Sequence, residues 1–124
     1  MDARTIALDD SHGDVLFVVV RGEHDIYTAP ALRDRLDEAL GGGATGVAVD
    51  LSSATFLDSS ILGALLEARR QALEKGVGYA VCLGESPEPG VQRILEITGL
   101  VPVFPVVRSR AEALEAARSA PADA

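Results

Sequence analysis

Asp50-Leu51-Ser52-Ser53-Ala54-Thr55-Phe56-Leu57-Asp58-Ser59-Ser60-Ile61-Leu62-Gly63-Ala64-Leu65-Leu66 holds the decisive pattern of this chain. At its head, Val47 to Leu51 is a short, β-branched and apolar run, which suits a fully buried strand in a sheet covered by helices. At its tail, Ile61, Leu62, Leu65, Leu66 and Leu73 form a broad apolar helical face, while Glu67, Arg69, Arg70 and Glu74 fall mostly elsewhere. Between them, Asp50 to Ser60 reads as a hydroxyl-rich loop joining strand to helix. A helix start has unpaired N–H groups and a partial positive charge, so it accommodates a phosphate or an anionic partner. Ser59 and Ser60 stand at that start and are candidates for modification. Ordinary N-capping by the same Ser and Asp residues is the alternative on spacing alone.

The remaining chain repeats the alternation. Thr5 to Leu8 and Val15 to Val20 read as strands of a hairpin, separated by the turn-rich Asp9-Asp10-Ser11-His12-Gly13-Asp14. Thr28 reads as the cap of a helix with Leu32, Leu36 and Leu40 on one face, ended by Gly41-Gly42-Gly43. Gly76 closes the middle helix, and Tyr79 to Leu83 is the next buried strand. After the loop Gly84 to Gly90 come a short helix with Val91, Ile94 and Leu95, a strand over Val103 to Val107, and a last helix from about Ala111 to Ala117 with Leu114 inward. This order predicts an α/β fold: one domain over residues 1–118, with a mixed, mostly parallel sheet of about four or five strands flanked by about four helices. Residues 119–124 are expected to fray.

Several blocks in this order resemble the anti-sigma factor antagonists of the STAS domain family. The core of the resemblance is Asp50-Leu51-Ser52, then Phe56-Leu57-Asp58-Ser59-Ser60, then Leu62-Gly63-Ala64-Leu65-Leu66. Gly22-Glu23-His24-Asp25 with Thr28-Ala29-Pro30 and Leu32 looks like the family's early strand-to-helix passage. Val91 to Leu100, and Phe104-Pro105-Val106 with Ser109 and Glu112-Ala113-Leu114, resemble its late elements. The resemblance implies that Ser59, directly after the loop aspartate, is phosphorylated by a partner anti-sigma factor, a serine kinase of the ATP-binding, histidine-kinase-like type. A serine phosphatase would reset it. It further implies a partner surface that includes Asp25, Thr28, Asp58, Ser59, Ser60, Ile61 and Leu62. In that scheme the chain is a substrate and not an enzyme, with no cofactor or metal of its own, since ATP and magnesium belong to the kinase. Two positions depart from the family pattern. Ile61 stands where glycine usually follows the serine pair, a β-branched change expected to bear on kinase access or partner choice. His24 stands where an apolar residue is commoner and is expected at the surface or rim.

Composition narrows the partners. The chain has 124 residues, a formal charge of −8, ten arginines and one lysine, Lys75. Such acidity disfavours nucleic acid unless the arginines cluster. They fall in separate elements, as Arg33 with Arg35, Arg69 with Arg70, and Arg108 with Arg110, and read as solvated helix faces and strand ends. A protein partner is expected. No apolar stretch approaches the ~20 residues of a membrane span, and no basic-then-apolar leader opens the chain, so a cytoplasmic location is expected. The single cysteine, Cys82, sits in an apolar run and reads as a small core residue.

Three other readings compete. A response-regulator receiver would use Asp50 as phospho-acceptor with Glu23 and Asp25 as metal-binding acids, but it needs a lysine after its last strand, and Lys75 closes the middle helix. A serine hydrolase would need His12 or His24 as base, and no Gly-x-Ser-x-Gly elbow surrounds Ser59. A STAS module that acts as scaffold or ligand sensor without phosphorylation keeps the fold and drops the switch.

Overall fold

The computed structural model describes residues 4–100, 103 and 106–119. Five strands and four helices alternate after an initial hairpin: β1 (Thr5–His12), β2 (Val15–His24), α1 (Ala29–Gly41), β3 (Gly46–Leu57), α2 (Ser59–Lys75), β4 (Gly78–Cys82), α3 (Pro89–Ile97), β5 (Val106–Val107) and α4 (Arg110–Arg118). They build one sheet in the order β1-β2-β3-β4-β5, with β1 antiparallel to β2 and the other pairs parallel.

That order dictates where the helices go. Parallel neighbours joined in sequence by right-handed crossovers place every crossover helix on the same face. Accordingly α1, α2 and α3 share one core with Val18, Val20, Val47, Val49, Leu51 and Val81. The other face carries Val15, Phe17, Val19, Ala48, Ala80 and Cys82, and Ala113 and Ala117 of α4 cover it. Cys82 is buried there as expected, and burial pushes its thiol above the usual value. On the first face, the Tyr79 hydroxyl donates to the Leu65 carbonyl at 2.9 Å and ties β4 to α2.

The α4 helix sits directly on backbone. A Cβ built on Gly46 or Gly78 would lie 1.9 Å from the Ala117 carbonyl oxygen, so the two strands meet this helix only as glycine. Its other end is held by charge. The Arg110 Nε and Nη2 each lie 3.0 Å from Asp50 Oδ2, Nη1 lies 2.9 Å from Asp9 Oδ2, and the guanidinium stacks 4.6 Å over the Phe17 ring. Asp50 is almost fully buried, and a carboxylate there requires such a partner. Arg110 is therefore not the solvated residue that its spacing implied. Arg70, bonded to Glu67 and Glu74 on an exposed helix face, does fit that reading.

Other boundaries moved. The β3 strand runs six residues past the expected Leu51, because it keeps pairing with β2 as far as His24 opposite Leu57. A register shift around Asp50 to Ser53 absorbs the irregularity, with the Ser52 N–H turned onto Asp50 Oδ1 at 2.9 Å. Most of the expected loop is thus strand. The turn in the hairpin shrinks to Gly13 and Asp14, and His12 belongs to β1, its ring 4.8 Å from that of Phe17. The expected strand from Val103 is seen at Val106–Val107: Val103 is a turn residue whose N–H donates to the Leu100 carbonyl at 2.9 Å, and residues 104, 105 and 120–124 lie outside the described residues. Leu114 is only half-buried; Ala113 and Ala117 face the core instead. Among the described residues no helix is long and apolar enough to cross a membrane.

Gly46→Ala should cost about 3 kcal/mol or more of unfolding free energy in urea, because neither the strand nor the helix backbone can yield. A pH effect follows from Asp9, whose carboxyl is held well below its usual range by the Ser11 hydroxyl and then by Arg110. A depressed carboxylate contributes stability that is complete above its unfolded value, about 3.9, and is lost as the pH falls. Arg110→Gln should flatten part of that acid-side loss in denaturation curves measured at stepped pH, and an unchanged slope would show that the clasp carries none of it.

Candidate functional site

The register shows where β3 leaves the body of the sheet. Asp50 opposite Cys82 is its last pair with β4, and from there to Leu57 it pairs only with β2. This two-stranded ribbon ends in two adjacent connections, β2 to α1 and β3 to α2, at the carboxyl ends of the parallel strands where open α/β sheets bind their ligands.

The first connection is a tight turn. The Asp25 carbonyl accepts from the N–H groups of Thr28 (3.0 Å) and Ala29 (2.9 Å), and Asp25 Oδ1 accepts from Tyr27 N–H at 3.0 Å. Thr28 occupies the N-cap position of α1 but its hydroxyl caps nothing there; it accepts from the Asp25 N–H at 3.0 Å instead. His24, expected at the rim, is 1% exposed beneath this turn. Its Nε2 lies 2.7 Å from the Arg21 carbonyl and its Nδ1 lies 3.0 Å from Thr28 Oγ1. A carbonyl only accepts, so Nε2 carries hydrogen and donates to Arg21, while Nδ1 shares a hydrogen bond with the Thr28 hydroxyl. Both nitrogens are satisfied, which is what permits a histidine in this buried position.

The second connection places the serines. Asp58 is the N-cap of α2, its Oδ1 accepting from Ser60 N–H at 2.9 Å and Ile61 N–H at 3.3 Å. Asp58 therefore caps the helix, as its spacing allowed. Ser59 is the first helical residue and is exposed, while Asp58 and Ser60 are half-buried. Two donors expected to receive a phosphate are already held by Asp58. Ile61 and Leu62 are buried in the core, so they fix the seat of α2 and do not line the surface. Ile61 is fully buried, whereas Ser59 two residues before it is exposed.

Sequence reading missed the apolar part of this surface. Ile26, Tyr27 and Phe56 are 62%, 86% and 50% exposed, and Phe56 stands opposite Glu23 in the ribbon. Asp25 and Thr28 are half-buried beside them. Exposed large apolar side chains on elements that also carry Glu23, Asp25 and Asp58 have the composition of surfaces on which proteins dock. A tyrosine inside a turn was the one visible signal. Phe56 could be recognised only once β3 was known to continue through it.

The same geometry disposes of two rivals. Asp50 has its oxygens committed to Arg110 and to Ser52 N–H, so it is no free phospho-acceptor. His12 stands at the hairpin turn beside the start of β3, whereas Ser59 follows the end of that strand, and His24 is sealed beneath its turn.

Comparison with known proteins bears on the family. The STAS domain model matches residues 8–113. The anti-sigma F factor antagonist of Paenibacillus polymyxa is 32% identical over 106 residues, 85% of this chain and 88% of that protein. A crystal structure of an anti-sigma factor antagonist from Mycobacterium paratuberculosis superposes with a TM-score of 0.82 at 30% identity, covering 95% of this chain and 97% of the other. The phosphorylated form of SpoIIAA, a Bacillus cell fate determinant, shares the fold with a TM-score of 0.62 at 22% identity over 90% of this chain and 97% of its own. On the sequence, the five-stranded mixed sheet and these matches together, the chain belongs to the STAS domain family, in the company of its anti-sigma factor antagonists.

Proposed function

We propose that this chain binds an anti-sigma factor that is also a serine kinase, frees the sigma factor that kinase holds, and is switched off by phosphorylation of Ser59. The observation that carries the proposal is the exposure of Ser59 at the first position of α2, next to Asp58 and the Ile26, Tyr27 and Phe56 surface. A kinase seated on that surface would have the hydroxyl within its reach. Ile61 offers no obstacle, since it is turned into the core. That SpoIIAA exists in a phosphorylated form supports modification of a protein with this fold.

The chemistry of release follows from charge. Phosphorylation adds about −1.5 to −2 charges and three acceptor oxygens. With Ser60 and Ile61 N–H groups engaged by Asp58, the new charge is poorly compensated by the chain itself and stands directly beside Asp58. An interface built around a neutral hydroxyl would then meet a dianion, at a cost of several kcal/mol, on the order of a thousandfold in affinity. A serine phosphatase would restore the binding form. Nothing in the fold requires large rearrangement for this switch, because the affected groups lie at its surface.

Intact mass after incubation with ATP, magnesium and each anti-sigma kinase of the same genome tests the proposal. One added phosphate, lost in Ser59→Ala, is the expected outcome; stable binding with no added mass would instead favour an unphosphorylated scaffold. Tyr27→Ala and Phe56→Ala should each weaken kinase binding about tenfold or more by calorimetry, with thermal unfolding unchanged since both side chains are exposed. Asp58→Ala removes the cap of α2 and should lower stability by about 1 kcal/mol in chemical denaturation, even with Ser59 intact.

A further inference from the structure

The two faces of the sheet are closed by unequal means. One is sealed by long apolar side chains, among them Leu32 and Leu36 of α1, Ile61 and Leu65 of α2 and Leu95 of α3. The other buries Val15, Phe17, Val19, Ala48, Ala80 and Cys82, yet the side chains that α4 buries against them are the methyl groups of Ala113 and Ala117. Burial energy scales with apolar area, so an alanine contributes far less than a leucine. The close approach of the Ala117 carbonyl to Gly46 and Gly78 adds contact but little apolar area. What remains is polar: Arg110 on Asp9 and Asp50 at one end, and Arg118 Nε on Asp14 Oδ1 at 3.1 Å at the other. The second pair is half exposed on both sides and holds weakly.

The helix is complete without the sheet. Ser109 Oγ accepts from the Glu112 N–H at 3.1 Å, and Glu112 Oε1 reaches back to accept from the Arg108 N–H at 2.9 Å, so its first turn is capped from within. Just ahead of it, Val107 is fastened to β4, its carbonyl accepting from the Leu83 N–H at 2.9 Å. A self-capped helix thus hangs from a pinned strand through Arg108. The Arg110 clasp makes its attachment all-or-none. Breaking the clasp with α4 in place would leave the Asp50 carboxylate buried without its cation, whereas departure of the helix brings carboxylate and guanidinium to water together.

We propose that α4 is a strap that leaves the sheet as one unit, pivoting at Arg108, while β1 to β5 and the helices of the other face stay folded. Opening uncovers Cys82, Phe17 and Val19, and that surface continues along β2 through the exposed Arg21 and Glu23 to the ribbon that carries Phe56. The apolar surface within reach of a second molecule then extends from the ribbon to the middle of the sheet. An element with little buried apolar area and a polar anchor belongs to the part of a domain that opens below the cost of global unfolding. The strap works on the face away from α2, so it does not depend on modification of Ser59.

Cys82, the single cysteine and 2% exposed beneath α4, reports the opening. Its labelling by an aromatic disulfide reagent is followed in the whole chain at rising urea, beside the amide exchange of Val18 and Val49 in the other core. In water Cys82 should react about tenfold or more faster than global unfolding allows, with little dependence on urea until global unfolding takes over, while the two amides exchange by global unfolding alone. Arg110→Gln, which strands Asp50 under the closed strap, should speed labelling by about a hundredfold, and Asp50→Asn added to it should reverse most of that gain. Ile61→Val trims the other core; it should hasten exchange at Val18 and Val49 and leave labelling of Cys82 in water unchanged. Labelling that follows urea with the full slope of global unfolding from zero denaturant upward would overturn the proposal, and so would labelling unmoved by Arg110→Gln. The urea dependence of the unsubstituted chain decides the matter even if Arg110→Gln does not fold.

Discussion

The direction of the chain between parallel strands constrains everything else in this molecule. Three right-handed crossovers in a row commit α1, α2 and α3 to one face, and the last helix must close the other without help. Nine helical residues span about 13 Å, whereas the twelve of β3 run to about 40 Å. The cover is too short for the strand. What α4 leaves bare is the outer part of the β2 and β3 ribbon, and that is where Phe56 emerges and where Asp58 and Ser59 begin α2. The proposed docking surface is the part of the sheet for which the topology provides no helix.

Since α4 has so little to hold it, its two ends are fixed by different means. At one end the strands offer bare backbone through Gly46 and Gly78, and the helix approaches as closely as atoms allow. At the other, Arg110 joins three separate elements by binding Asp9 of β1 and Asp50 of β3 from α4. A guanidinium suits this task because its fork of donors satisfies two carboxylates at once while its flat face rests on Phe17. The same Asp50 turns Ser52 into the register shift of β3, so one buried carboxylate both anchors the cover and shapes the strand leading to the site.

Periodicity carried the fold well and the site only in part. The leucines of α1 and α2, the β-branched strands and the helix-ending Gly76, whose φ of 69° is left-handed, all speak through local chemistry that a single stretch of sequence displays. Ser59 was legible for the same reason, being a hydroxyl at a helix start. Partnerships between distant residues were not legible: Arg110 with Asp50 spans sixty positions, and nothing in either neighbourhood announces it. The hydroxyl-rich run from Ser52 to Thr55 carried a turn signal that pairing with β2 overrode. His24 failed for a related reason, since its burial depends on a threonine one turn away supplying the partner that the ring needs.

The outer edge of β1 bears on a different matter, self-association. A protein that exposes Ile26, Tyr27 and Phe56 exposes them to its own copies as well, and an open strand edge would turn such encounters into growing sheets. The β1 strand is broken in register between Asp9 and His12 and carries two adjacent aspartates there, on a chain with a net charge of −8. An incoming strand would find an irregular ladder and its own charge repeated. The chain can therefore keep these apolar side chains exposed while its sheet edge resists aggregation.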